Sequence, residues 1–95
     1  MAQDQFVVVV YDISNDKRRT KLHNRLKDFG SPVQYSVFEC LLSTREFEQM
    51  KKAVNRIIRV RQDHVRYYVL CAACRKRIEV IGQKEVTGKP DVIVV

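Results

Sequence analysis

Phe6-Val7-Val8-Val9-Val10-Tyr11-Asp12-Ile13-Ser14-Asn15-Asp16 is an apolar run that ends in a carboxylate, and the basic residues Lys17, Arg18, Arg19 and Lys21 follow at once. A valine run bounded by polar residues reads as a strand buried on both faces. Side chains alternate along a strand, so Phe6, Val8, Val10 and Asp12 share one face and Val7, Val9, Tyr11 and Ile13 the other. An acid at the end of a buried strand must be paired, protonated or bound to a metal, because an isolated buried charge is costly. A rigid strand end that opens to solvent also suits a catalytic acid. The plainer reading is an Asp that caps the following turn or helix.

The remaining elements follow in chain order. Ser14, Asn15 and Asp16 are each able to cap a helix, which is expected to run to about Phe29 and stop at Gly30 in a left-handed C′ position. Leu22, Leu26 and Phe29 fall at helical spacing, leaving Arg18, Arg19, Lys21, Arg25 and Lys27 around the solvent side. Ser31-Pro32 starts extended chain. The β-branched and aromatic segment from Val33 to Leu42 reads as two short strands joined by a kink or bulge, or as one long bent strand. Ser43-Thr44-Arg45-Glu46 is a capping box that opens a second helix, to about Val60, with the apolar stripe Phe47, Met50, Val54, Ile57 and Ile58. Val65 to Cys71 alternates as a strand, Ala72 to Lys76 reads as a connection, and Arg77 to Ile81 as a short strand ended by Gly82.

The order β-α-β(β)-α-β places two helices on one face of an antiparallel sheet. This is an α+β, ferredoxin-like βαββαβ arrangement over residues 1–82, in which the first strand is central. Residues 83–95 form a C-terminal extension. Its apolar end, Asp91 to Val95, would aggregate as an open edge and is expected to pair with a sheet across a dimer. The sheet face without helices also needs cover, and Tyr11, Tyr35 and Phe38 are the aromatic residues assigned to it.

Ninety-five residues make one domain with a real core. A formal net charge of +7, spread along the chain, points to a polyanionic partner, most often nucleic acid. No apolar run approaches the length of a bilayer span, and the N-terminus shows no secretory pattern, so no membrane partner and a cytoplasmic location are expected. Cys40, Cys71 and Cys74 are an odd number and argue against a disulfide framework. Cys71-Ala72-Ala73-Cys74 has the spacing of half a zinc site or a redox pair, but no second such pair exists, so all three read as small core residues. No Gly-rich phosphate loop is present, which argues against an NTPase. Two classes of function survive: a metal-dependent nuclease, and a non-catalytic nucleic-acid-binding assembly module. A base-stacking RNA-binding sheet would need aromatics on the central strand, where this chain has valines.

In order and spacing, Tyr11-Asp12-Ile13-Ser14, Lys17-Arg18-Arg19, Lys21-Leu22, Phe29-Gly30, Val33-Gln34-Tyr35-Ser36-Val37-Phe38-Glu39, Leu42-Ser43 and the Val65-to-Cys74 pattern resemble the small CRISPR-associated adaptation proteins. These are endoribonuclease-type partners of the CRISPR integrase subunit in spacer acquisition. The resemblance covers nearly the whole chain and weakens after Gly82. It implies a homodimer with C-terminal strands exchanged or added across the interface. It also implies a Mg²⁺-dependent nuclease whose metal-binding, catalytic acid is Asp12, and a platform that bridges two integrase dimers on a DNA duplex. Tyr11, Arg18, Arg19 and Phe38 are expected near the site. Arg18, Arg19 and Arg25 are expected to lead the phosphate contacts. Many members carry a basic residue before Val33, where this chain has Pro32.

A two-fold axis would bring Asp12 together with its mate, so that two carboxylates share one metal. Mg²⁺ prefers oxygen ligands and keeps several waters. Asp16, Asp28 and Glu39 are the alternative acids.

Overall fold

The computed structural model describes residues 4–82. It contains β1 (Gln5–Asp12), α1 (Asp16–Leu26), β2 (Gly30–Gln34), β3 (Val37–Leu42), α2 (Thr44–Ile57), β4 (His64–Leu70) and α3 (Ala72–Lys76). The strands form one antiparallel sheet in the order β2-β3-β1-β4, with β1 inside it as the valine run requires. Asp91–Val95 and the rest of the C-terminal extension lie outside the described residues.

The core lies between the sheet and the helices. Val7, Val9, Tyr11 and Ile13 of the β1 segment meet Phe38, Cys40 and Leu42 of β3, with Leu22 and Leu26 of α1 and Met50 and Val54 of α2 above them. Burial of the Cys40 thiol, helped by nearby Glu39, pushes its pKa up to about 11, so it stays protonated. Tyr11 and Phe38 therefore belong to the helix-covered face, which corrects their assignment to the open one. The reason is parity: Tyr11 follows Val7 and Val9, and Phe38 stands opposite Val9 in the β1–β3 register. The open face carries Phe6, Val8, Val10 and Asp12, flanked by Val37, Glu39 and Leu41 and by His64, Arg66, Tyr68 and Leu70. Of these Phe6 is buried, with the Arg75 guanidinium of α3 4.9 Å above its ring.

Both helices begin as their caps dictate. The Asn15 side chain accepts from Arg18 N at 2.9 Å. Ser43 Oγ accepts from Glu46 N at 3.1 Å, and Glu46 Oε1 from Ser43 N at 2.9 Å, completing the capping box. Their ends come early. α1 closes at Leu26 through i→i+3 bonds from Asp28 N and Phe29 N, and α2 stops at Ile57. Gly30 is not a left-handed cap; it opens β2 and has no positive φ. Its need for glycine is a close approach, since a Cβ there would collide with Cys40 Sγ and the Glu39 carbonyl.

The Val33–Leu42 segment resolves into two strands joined at Tyr35-Ser36. The register slips between Pro32 and Gln34, and Ser36 takes φ 62°, where a glycine would be easier. Ala72–Lys76 is helical rather than a connection, with Cys71 as its N-cap. Within Arg77–Ile81 a single β-bridge at Val80 stands in place of the expected strand. Arg77 N and Ile78 N bond back to Cys74 O and Arg75 O, so they are taken by the helix end and not by a ladder. Cys71 and Cys74 are exposed, contrary to the core reading, and only Cys40 is buried. Among the described residues, no helix is long and apolar enough to cross a membrane.

Candidate nucleic-acid and metal site

Asp12 ends β1 on the open face, exposed to solvent and in register with His64 of β4. Its neighbours on that face form a polar ladder: Arg66 Nε lies 3.0 Å from His64 Nε2, and Arg66 Nη1 lies 3.4 Å from the Tyr68 hydroxyl. Directly opposed strand residues bring their Cβ atoms within about 5 Å, so the imidazole and the carboxylate share one patch. A period-two reading from Asp12 and from His64 holds the signal for this grouping. Without the strand register it does not show that the two meet.

The basic residues of α1 differ sharply from one another. Arg18 is not a free phosphate ligand. Its Nε and Nη2 donate to Asp63 at 2.8 and 3.0 Å, and Nη2 also donates to Gln62 Oε1 at 3.1 Å. Asp63 is the buried charged residue of the described chain, and it accepts Arg59 N at 2.7 Å as well. The Arg18 hydrogen bonds hold its carboxyl below the usual range, against a burial penalty that acts the other way. This pair ties the start of α1 to the loop before β4 across 45 residues of sequence, which is why no local motif announced it.

Arg19 donates from Nη1 to the Ile13 carbonyl at 2.9 Å and pairs with Asp16. Arg25 pairs with Asp28 and lies 5.1 Å over the Phe29 ring. Both pairs are partly solvent-exposed and weak enough to be exchanged for a phosphate. Phe38 has no exposed surface, and Tyr11 is buried, with its hydroxyl 3.3 Å from His23 Nδ1. Neither ring reaches the patch around Asp12, because successive residues on a strand point to opposite faces. Of the residues expected near Asp12, the open face thus holds Asp12 itself, while Tyr11 and Phe38 sit beneath the helices.

Asp12 is the strand-end acid with the open surroundings a Mg²⁺ site needs. Asp16 and Asp28 each stand beside an arginine whose positive charge opposes a cation there. No group of three metal-ligating side chains occurs among the described residues. One solvated carboxylate fits Mg²⁺ in the manner of sites completed by water, substrate phosphate and a second carboxylate.

These features define a class: a ferredoxin-like domain of strongly basic composition with a solvated carboxylate at the end of its central strand. The family model described as CRISPR associated protein Cas2 matches residues 5–78. A relative from Chloroflexus aurantiacus, "CRISPR-associated endoribonuclease Cas2 1", is 44% identical over 78 residues, covering 81% of this chain and 84% of that one. The structure is similar to the Streptococcus pyogenes Cas2 crystal structure, with TM-score 0.72 and 33% identity over 81% of this chain and 99% of that one. It is also similar to a chain of a "Partial Cas6-RT-Cas1--Cas2 complex", with TM-score 0.69 and 28% identity over 78% and 81% of the two chains. The chain belongs to the Cas2 family.

Proposed function

We propose that this chain is a CRISPR-associated endonuclease of spacer acquisition, a phosphodiester hydrolase that works as a homodimer around paired Asp12 carboxylates. The observation that carries this reading is the solvated Asp12 at the edge of an apolar sheet face that α1 and α2 leave open, α3 reaching only its Phe6 end. Val8, Val10, Val37, Leu41 and Tyr68 lie on that face. A second copy laid on it would bury these side chains and draw the two Asp12 side chains toward the axis. Mg²⁺, when bound, supplies charge neutralisation on the phosphate and a water of lowered pKa. Asp12 supplies the anionic oxygen that holds it, and Arg19 and Arg25 draw the backbone in. The cytoplasm suits the role, since it keeps three free thiols reduced.

The test compares wild type with Asp12→Asn on single-stranded RNA, single-stranded DNA and duplex DNA, with Mg²⁺ or EDTA. Asparagine keeps the shape and removes the charge. Cleavage should fall by orders of magnitude while binding and melting temperature hold, because the acid carries no structural hydrogen bond in the described chain. Full cleavage by the asparagine variant removes Asp12 from the mechanism.

A second reading is an assembly role in which the basic surface bridges Cas1 integrase subunits on a duplex. The similarity to a chain of the complex that contains Cas1 favours it. It needs the same dimer and the same arginines, and it predicts no cleavage by either protein alongside intact duplex binding.

A further inference from the structure

On the helix side of the sheet, at the same end of β1, lies a cavity of about 260 Å³ lined by Tyr11, Arg19, Thr20, His23, Tyr35 and Ser36. Its floor is rigid. The Tyr11 hydroxyl and His23 Nδ1 are 3.3 Å apart, and the imidazole stands edge-on to the buried Phe38 ring at 5.1 Å. Its wall is a fixed cation. The Arg19 guanidinium is anchored to the carbonyls of Ile13 and Ser14 at 2.9 and 3.5 Å, with Asp16 on the outer side. Tyr35 stands at its mouth, 82% exposed.

The turn that presents Tyr35 is built for placement. Ser36 holds a left-handed φ of 62°, and its carbonyl accepts Tyr11 N at 3.1 Å, so the turn is pinned to the central strand. A strained residue that keeps an aromatic side chain in water beside a cavity does nothing for the core. Burial raises the Tyr11 pKa, the Tyr35 phenol adds to the rise, and Arg19 opposes it, so these groups act on one another across the cavity.

We propose that this pocket takes one unpaired nucleobase of a single strand, stacked on Tyr35, with the adjoining backbone phosphate at Arg19. The floor offers a phenol and an imidazole to the hydrogen-bonding edge of a base. Tyr35 offers a flat face, and every base has a π-face to match it. A paired base in a duplex has its edge occupied and its faces stacked, so the pocket selects single-stranded ends and loops. The inference rests on the nucleic-acid reading above and assigns it a substrate form.

Fluorescence anisotropy on a short labelled oligoribonucleotide, the matching deoxyoligonucleotide and a blunt duplex tests it, with urea midpoints to confirm that each variant folds. Tyr35→Ala should weaken at least one single strand by about 5- to 150-fold, the range of one lost base–aromatic stack, with duplex affinity kept within about twofold. Tyr35→Phe should retain the affinity. The slope of log K against log salt should stay the same for Tyr35→Ala and flatten by about 0.7 on single strands for Arg19→Ala. Dependence for RNA alone or DNA alone supports the pocket and shows which sugar it accepts. A steep wild-type salt slope with Tyr35→Ala unchanged on both single strands overturns the pocket and leaves the basic surface standing. Failure of the wild type to bind any of the three probes overturns both.

Discussion

Phe38 separates the core from the nucleic-acid surface. The resemblance places it near the site, whereas the structure gives it no exposed surface and packs it between Tyr11, at 6.3 Å between ring centroids, and His23, at 5.1 Å. Deleting a fully buried Phe to Ala removes its transfer energy and leaves a cavity, together about 3–5 kcal/mol. Loss of the edge-on ring contact adds up to about 1 kcal/mol within that range. For a domain of this size each kcal/mol moves the melting temperature by about 4–8 °C, so Phe38→Ala should melt roughly 12–40 °C lower. Phe38→Leu keeps most of the volume and should cost about 1.5 kcal/mol or less. The informative pair of measurements is urea unfolding by circular dichroism and anisotropy on a single-stranded RNA, made on the same preparation of the Leu variant. A core role predicts a lower urea midpoint and unchanged affinity. A stacking role predicts an unchanged midpoint and a loss of about 1–3 kcal/mol in binding. A Leu variant as stable as wild type that binds tenfold or more weakly would refute the reasoning, and with it the helix-side position of the ring.

Two further predictions concern stability. Arg18→Ala should lower the urea midpoint at pH 7, because it strips a buried carboxylate of its partner, and should leave the salt slope of nucleic-acid binding as it was. Asp63 has a depressed folded pKa, so its contribution is present above the unfolded value of 3.8 and is lost as pH falls through the lower folded one; the wild-type advantage over Arg18→Ala should therefore shrink between pH 5 and pH 2. Gly30→Ala should destabilise by about 1–3 kcal/mol in urea titration, as overpacking does. Adding Cys40→Ala should restore only part of that, because the Glu39 carbonyl still blocks the new methyl group.

The elements most legible in the sequence were those fixed by neighbours along the chain. Ser43 and Glu46 announce the start of α2 because the cap closes within one turn. The alternation of β1 divides its side chains correctly between two faces. Alternation alone does not say which face the helices cover, and the structure puts Tyr11 and Phe38 beneath them. The carboxylate of Asp12 holds the missing clue: a charged strand end without a buried partner belongs on the solvated side, which sends Tyr11 beneath the helices. Glycine after a helical pattern is usually a cap, yet the cause of Gly30 is an approach between β2 and β3 that sequence spacing does not encode. The Arg18–Asp63 pair likewise depends on two segments meeting only in the folded chain. It is the reason one arginine of a basic run is structural while its neighbour remains at the surface.

Tyr11 and Asp12 are adjacent in sequence, and the pleat sends them to opposite sides of the sheet. The carboxylate therefore faces the apolar surface where a second copy would lie, and the phenol closes the floor of the Tyr35 pocket under α1. A single strand that used both would cross the end of β1, over the Ile13–Asn15 turn, where Arg19 is already fastened to the carbonyls of Ile13 and Ser14. The end of the central strand is thus where the proposed base pocket on the helix side and the proposed phosphate chemistry on the open side would meet. A duplex laid along the same path would present phosphates to Arg19 but no free base to the pocket. On the proposals above, cleavage of single strands and assembly on a duplex would draw on overlapping arginines and differ in their need for Tyr35, so Tyr35→Ala should separate the two roles.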